Sequence, residues 1–142
     1  MKSKAIFLCL LALLAVAVVR AQQPAPDPIG QSFFAPELVM QNQQAIGLTD
    51  EQKSFLKTEI RDAQLKFTDL QWKLQDEMEK MTALVKQPHV EEKDAVAQLE
   101  KILALEREIK RAQVTLLVRI KNKLTPEQQA KLNEIRNTAG NK

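Results

Sequence analysis

The sequence is poor in the side chains that carry out catalytic chemistry. It has no tyrosine, one cysteine and one histidine among its 142 residues. A Ser-His-Asp triad or a histidine acid–base pair needs several such groups at one site, and this chain does not supply them. Acidic pairs such as Glu91-Glu92 are more typical of solvated helix faces. We therefore expect no enzyme activity and no cofactor.

Glycine is also scarce, and the chain has none between residues 48 and 139. Hairpin turns between strands rely on glycine, and half-buried strands show sustained alternation of apolar and polar residues; both signals are missing. The composition is rich in Lys, Glu, Gln, Leu and Ala, which favour helices. The sequence predicts an all-α fold.

Residues 1–21 have the pattern of a bacterial signal peptide. Lys2 and Lys4 precede an apolar run over residues 5–19, and Val19-Arg20-Ala21 offers a cleavage site after Ala21. A retained membrane anchor is the alternative, but a run of about 15 residues is shorter than the roughly 20 that a spanning helix needs. We predict export to the periplasm, with no stable membrane insertion after cleavage.

Removal of the signal peptide changes the charge of the chain. It takes away three of the 21 basic residues and none of the 18 acidic ones, so the mature chain carries 18 of each sign. A chain without net charge is not attracted to polyanions, and we expect no nucleic-acid partner. Cleavage also removes Cys9, the only cysteine, so no disulfide is expected.

The remaining chain divides into a leader, a helical domain and a tail. Three of the six prolines lie in residues 22–35, which predicts a flexible leader. Residues 36–138 are the predicted helical domain, which opens with a short helix between Pro36 and Gly47. Residues 139–142 form the C-terminal tail.

Two long amphipathic helices dominate the helical domain. Apolar residues recur every three or four positions through 50–87 and again through 91–123, which is the period of one helix face. Pro88-His89 separates the two helices, so we expect a long antiparallel hairpin. The predicted core stripe of the first helix is Leu56, Ile60, Ala63, Phe67, Leu70, Leu74, Met78, Met81 and Val85. The predicted core stripe of the second helix is Ala95, Leu99, Ile102, Leu105, Ile109, Ala112, Leu116 and Ile120.

A short phrase occurs twice, before the first long helix and before a shorter last helix over 126–138. LTDEQKSFL begins at residue 48, and LTPEQQAKL begins 76 residues later. In each phrase a threonine is followed three positions later by a glutamine, which is the pattern of a capping box at a helix N-terminus. Because the hairpin returns to its starting end, we expect the two phrases to be neighbours in space. The residues of this motif are Leu48, Thr49, Gln52, Leu124, Thr125 and Gln128.

The paired LTxxQ phrases, the signal peptide and the helical hairpin between them resemble the Spy/CpxP family of periplasmic stress proteins. That family includes the zinc-responsive ZraP and the cobalt- and nickel-sensing CnrX relatives. The resemblance covers about residues 36–138 and implies a cradle-shaped antiparallel homodimer. It also implies either ATP-independent holding of unfolded proteins or binding to a membrane sensor of envelope or metal stress.

Two functions are therefore expected. The first is a periplasmic, ATP-independent, chaperone-like protein that binds unfolded or stress-exposed proteins. The alternative is a regulatory adaptor or heavy-metal sensor module that acts on an envelope-stress signalling protein. Two helices form a thin layer that cannot bury a wide core alone, and this independently favours a homodimer.

His89 is the one candidate metal ligand of the mature chain. It lies in the predicted hairpin turn, near Glu91, Glu92 and Asp94. Transition-metal sites usually gather several His, Cys or carboxylate ligands. We therefore interpret His89 as an exposed turn residue and predict no metal site.

Two large apolar residues lie off the core stripe. At about 100° per residue, Leu65 and Trp72 point almost opposite to the stripe and share one line along the helix. A tryptophan with a leucine two turns away is a candidate contact patch. Three uses stay open: packing against the short N-terminal helix through Phe33, Phe34 or Leu38, a dimer seam, or client binding. We rank the first two uses above the third.

Overall fold

Five helices make up the part of the chain that the structure describes. The computed structural model describes residues 28–139, so the predicted signal peptide (1–21), the first half of the leader and residues 140–142 lie outside the described residues. The helices are α1 (Pro28–Gln31), α2 (Pro36–Gln41), α3 (Asp50–Val85), α4 (Glu92–Lys123) and α5 (Pro126–Ala139). No strand occurs among residues 28–139, which confirms the all-α prediction. None of the five helices is both long enough and apolar enough to cross a membrane.

α3 and α4 form the predicted antiparallel hairpin. With 36 and 32 residues they are each about 50 Å long at a rise of 1.5 Å per residue. The two helices pack against each other and are joined by a turn that contains Pro88. Acidic residues in the first turn of α4, and Lys121 and Lys123 in its last turn, complement the helix dipole.

The packing between α3 and α4 repeats every 3.5 residues, as in a coiled coil. Buried and half-buried positions follow alternating steps of three and four residues, which keeps one seam facing the partner helix. In α3 the seam consists of Leu56, Ile60, Ala63, Phe67, Leu70, Leu74, Glu77, Met81 and Leu84. In α4 it consists of Ala95, Gln98, Ile102, Leu105, Ile109, Ala112 and Leu116.

Three residues of the predicted core stripes lie outside this seam and are exposed, whereas Ile120, beyond the end of the seam, is fully buried at the end of α4. Met78, Val85 and Leu99 are 46%, 56% and 43% exposed. The prediction followed the apolar residues and took steps of four where the repeat takes a step of three. In each case the residue one position earlier occupies the seam, because the 3.5-residue repeat holds its register from Leu56 to Leu84 on α3 and from Ala95 to Leu116 on α4.

One layer of the seam is polar. Gln98 is buried, and its Nε2 donates to the backbone O of Glu77 at 2.8 Å and to Oε2 of Glu77 at 2.6 Å. Lys80 Nζ donates to the other carboxylate oxygen at 2.6 Å. The hydrogen bond from Lys80, followed by that from Gln98, holds the pKa of the Glu77 carboxyl below its usual range.

The main core lies at the open end of the hairpin. It is formed by eight buried residues: Phe34, Val39, Ile46, Leu48, Leu56, Ile120, Leu124 and Leu132. These residues come from α2 and its flanking segments, from the ends of α3 and α4, and from α5, so three layers meet here. We call this end the base, and we call the hairpin over residues 64–113 the arm.

Part of the predicted flexible leader is packed against the base. Phe34 is 2% exposed. Arg136 of α5 donates from Nη1 to the backbone O of Phe33 at 3.0 Å and from Nη2 to that of Gln31 at 2.7 Å. These contacts fix the end of the leader on the base, where flexibility had been expected.

The short helix that follows is also smaller than predicted. α2 ends at Gln41, and turns continue to Gly47. Gly47 has a φ of 64°, in the left-handed region that favours glycine, and it redirects the chain into the first LTxxQ phrase.

Candidate functional site

The first LTxxQ phrase forms a complete capping box at the start of α3. The hydroxyl of Thr49 accepts a hydrogen bond from the backbone N of Gln52 at 3.1 Å. In return, Oε1 of Gln52 accepts from the backbone N of Thr49 at 3.0 Å. The exchange satisfies two backbone donors that a helix start leaves without an intrahelical partner.

The second phrase repeats this geometry at the start of α5. The hydroxyl of Thr125 accepts from the backbone N of Gln128 at 3.3 Å, and Oε1 of Gln128 accepts from the backbone N of Thr125 at 2.9 Å. Pro126 opens the helix, where its missing N–H costs nothing. The carboxyl of Glu127 accepts hydrogen bonds from the backbone N–H of Glu127 and from the Thr125 side chain. These bonds hold the pKa of Glu127 below its usual range.

The two glutamines also bind each other across the base. Gln52 Nε2 donates to Gln128 Oε1 at 2.9 Å, and Gln128 Nε2 donates to Gln52 Oε1 at 3.0 Å. Each side-chain amide also donates from Nε2 to a backbone carbonyl. Gln52 donates to the O of Lys123 at 2.8 Å, and Gln128 donates to the O of Gly47 at 3.3 Å. We call this reciprocal pair, Gln52 with Gln128, the glutamine clasp.

The glutamine clasp is a closed polar network inside an apolar base. Both glutamines are only 8% exposed, and each makes two donated and two accepted hydrogen bonds. A buried polar network contributes to a unique arrangement when every member is satisfied. Leu48 and Leu124, the first residues of the phrases, are 5% exposed and belong to the main core. The repeated phrase therefore joins the starts of α3 and α5 directly.

A charged pair lies beside the clasp and joins α4 to α3. Lys123 Nζ contacts Glu51 Oε1 at 2.7 Å, and this hydrogen bond and the lysine charge lower the pKa of the Glu51 carboxyl. The same ammonium lies 5.0 Å from the centroid of the Phe55 ring, within the range of a cation–π contact. Lys123 thus contacts both an acidic and an aromatic residue of the first turns of α3.

The predicted contact patch, Leu65 and Trp72, lies on the side of α3 that points away from α4. These residues are 66% and 68% exposed, and we call them the outer edge. The N-terminal segment does not cover them, because Phe34 lies in the main core and Leu38 packs against it. Packing within the chain is therefore ruled out for the outer edge among residues 28–139.

A second exposed apolar group was missed by the sequence analysis. It consists of Met78, Val85, Val96, Leu99 and Leu103, which are all between 43% and 56% exposed. We call this group the arm face. The sequence contains the signal that identifies it, because a strict 3.5-residue repeat places all five residues outside the seam.

His89 lies in the turn at the tip of the hairpin, as predicted. Its Nε2 is 3.0 Å from Oε1 of Glu91, and both side chains are largely exposed. Residues 28–139 contain no cluster of three or more His, Cys, Asp or Glu side chains arranged to hold a metal ion. The turn brings together two potential metal ligands, His89 and Glu91.

The fold and these surfaces define a class of all-helical hairpin proteins that are closed at one end by paired LTxxQ phrases. The chain matches the heavy-metal resistance family over residues 3–133, and it belongs to that family. This family is related to the Spy/CpxP/ZraP fold, whereas membership of the Spy/CpxP family itself stays a prediction. No curated protein and no solved structure matches the chain.

Proposed function

We propose that this heavy-metal resistance protein is a periplasmic, non-catalytic chaperone-like protein that binds unfolded or stress-exposed proteins without ATP. It acts as a homodimer and requires no cofactor. In metal stress, such binding protects envelope proteins whose folding is disturbed by metal ions.

The observation that carries this proposal is the exposed apolar surface of the arm. Leu65 and Trp72 are about two-thirds exposed on the side of α3 that points away from α4. Unfolded proteins expose apolar segments, and burying these segments against such a surface is favourable because it removes both from water. The aromatic ring of Trp72 offers a large contact area at low cost in conformational entropy.

Neighbouring residues keep the outer edge soluble. Lys73 Nζ contacts Asp69 Oδ2 at 2.7 Å, and both side chains are largely exposed. Such exposed pairs contribute little to stability, but they surround the apolar residues with charge. An apolar centre with a polar rim is the usual anatomy of a surface that binds other proteins reversibly.

The proposal is tested by the aggregation of a denatured client protein, measured by light scattering without ATP. We expect the exported protein to suppress aggregation of several unrelated clients at near-stoichiometric ratios. Leu65→Ser with Trp72→Ser should abolish protection, whereas the matched pair Thr58→Ser with Thr68→Ser on the same helix should preserve it. Failure of the wild type with every client would contradict the chaperone role.

A regulatory module is the second candidate function, and the heavy-metal resistance family favours it. In that role the protein binds one signalling partner in the membrane, with or without a metal ion. The pair of His89 and Glu91 at the hairpin tip is where such an ion would bind.

Calorimetry of the metal-free protein with zinc, nickel and cobalt separates the two functions. The chaperone role predicts weak or no binding, since one histidine is a poor transition-metal site. Submicromolar binding that disappears in His89→Ala, with aggregation of clients unaffected by the protein, would support the sensor module instead.

A further inference from the structure

The two broad sides of the arm differ in charge. On one side, the shallow hollows between α3 and α4 are lined by charged residues, including Lys73, Lys80, Asp94 and Lys101. On the opposite side, a hollow near the base is lined by Gln64, Gln113 and the start of α2. Residues seven, fourteen or twenty-one positions apart share one side of a 3.5-residue repeat. Met78, Val85 and Leu99 are therefore on the side that α2 covers at the base.

This side of the arm carries no charge over a long stretch. Val96 and Leu103 are three positions before and four after Leu99, so they lie on the same face of α4. The neighbouring polar positions on α3 are uncharged as well: Gln71, Gln75 and Thr82. Charge returns at Glu92 and Glu106, one repeat on either side of Leu99, and at Lys110, one repeat after Leu103. Depletion of charge is the compositional signal of the centre of a protein interface.

The arm face continues a surface that is covered at the base. The start of α2 and Phe67 line one hollow on this side, and further along the arm the residues of the arm face are exposed. A helical layer that is apolar on one side is stable when another layer covers that side. At the base the chain supplies this layer itself, and along the arm a second copy can supply it.

We propose that the arm face is the seam of a homodimer, in which the arm faces of two copies pack against each other around a two-fold axis. The inference rests on the homodimer proposed above and names its contact surface. A two-fold seam is isologous, so one uncharged apolar face is sufficient for both partners. The outer edge, on a different side of α3, stays exposed for clients.

The size of the surface agrees with a reversible dimer. From Phe67 to Val85 the arm extends about 27 Å at 1.5 Å per residue, and two helices abreast are about 20 Å wide. Covering this rectangle on both copies buries about 1,100 Å² in total, just above the size at which interfaces become specific. The arm face is therefore large enough to hold two copies together.

The test is the mass of the exported protein in solution, measured by light scattering on a sizing column over a range of micromolar concentrations. We expect the wild type to have the mass of two chains. Met78→Glu with Leu99→Glu should halve that mass while helicity, measured by circular dichroism, is retained. The matched pair Leu65→Glu with Trp72→Glu should remain dimeric.

A milder variant covers the case in which the two glutamates disturb folding. Leu99→Gln keeps the size of the side chain and should raise the dissociation constant at least tenfold.

A monomeric wild type would overturn both the homodimer and its seam. A dimer that survives Met78→Glu with Leu99→Glu but dissociates in Leu65→Glu with Trp72→Glu would place the seam on the outer edge and overturn the inference. A dimer that survives both pairs, with client protection lost only in the arm-face pair, would make the arm face a client site and overturn it too. Failure of the chaperone role is distinct, since it leaves the mass at two chains with no client protected.

Discussion

The base and the arm are built from the same two helices, yet they are stabilised in different ways. At the base, Leu56, Ile120 and Leu132 have no exposed surface, because segments from both ends of the described chain pack against the hairpin. Along the arm, residues such as Leu70 and Ile102 are buried between α3 and α4, while apolar residues on the outward sides stay exposed.

The buried contacts that stabilise the fold and the exposed apolar surfaces lie mostly in different parts of this short chain. The glutamine clasp satisfies its buried amides and closes the base, where eight apolar side chains are buried together. The arm has a single seam and leaves two apolar surfaces, the outer edge and the arm face, in contact with solvent. A structure of this kind can bind other proteins through its arm without disturbing the core that holds it folded.

The largest expected difference between the two regions comes from truncating a buried leucine. Leu132→Ala at the base should lower the free energy of unfolding by about 3 kcal/mol, because it removes buried methyl groups and leaves a cavity. Leu65→Ala on the outer edge should change it by less than about 0.5 kcal/mol, since that side chain is exposed. Urea unfolding followed by circular dichroism measures both, and equal effects would contradict the contrast between base and arm.

The glutamine clasp should have the next largest effect. Gln52→Ala removes the capping bond to the backbone N of Thr49, breaks the reciprocal bonds to Gln128 and leaves the carbonyl of Lys123 without this donor, at a cost of about 2 kcal/mol. A double-mutant cycle with Gln128→Ala should show a coupling of about 1 kcal/mol. Gln64→Ala, an exposed glutamine on the same helix, is the control and should be neutral. Strictly additive effects at Gln52 and Gln128 would mean that the two amides do not act together.

Loss of one cap should weaken a single helix of the base. Thr125→Ala removes the hydroxyl that accepts from the backbone N of Gln128, which costs about 1 kcal/mol for a helix N-cap. Hydrogen exchange should speed up across residues 126–138 and stay unchanged in the arm. The control is Thr115→Ala, in the middle of α4 and exposed. Unchanged exchange in α5 would show that Thr125 does not act as a cap.

The smallest expected effect concerns the polar layer of the arm. Because hydrogen bonds lower the pKa of Glu77 in the folded chain, the ionised carboxylate stabilises the fold at pH values above its unfolded pKa of about 4.3. That stabilisation is lost as the pH falls through the lower, folded pKa. Glu77→Gln should therefore reduce the fall in thermal midpoint between pH 7 and pH 3, whereas Glu100→Gln should not. If the thermal midpoint falls equally in Glu77→Gln and in the wild type, the ionised Glu77 carboxylate does not stabilise the fold.

The general architecture follows from local signals in the sequence. Helix formers, the missing glycines and the two capping patterns predict α3, α4 and α5 to within two residues, because each depends on neighbours along the chain. The proximity of the two phrases also follows from the nearly equal lengths of the long helices. The direct bonds between Gln52 and Gln128 do not, since side-chain contacts across 76 residues depend on the final packing.

The errors in the sequence analysis have two physical causes. Met78 and Leu99 were assigned to the core because they are apolar, but the 3.5-residue register puts a polar neighbour of each in the seam. Phe34 lies in a proline-rich stretch, whose composition predicted flexibility, and only the fold shows that the base has room for it. In both cases tertiary packing overrode a local pattern.

Client binding by the arm is tested most directly by hydrogen–deuterium exchange of the exported protein with and without a denatured client. We expect slower exchange in the arm around Leu65 and Trp72, and no change at Gln52 and Gln128 in the base. Slower exchange confined to the base, with the arm unchanged, would contradict it.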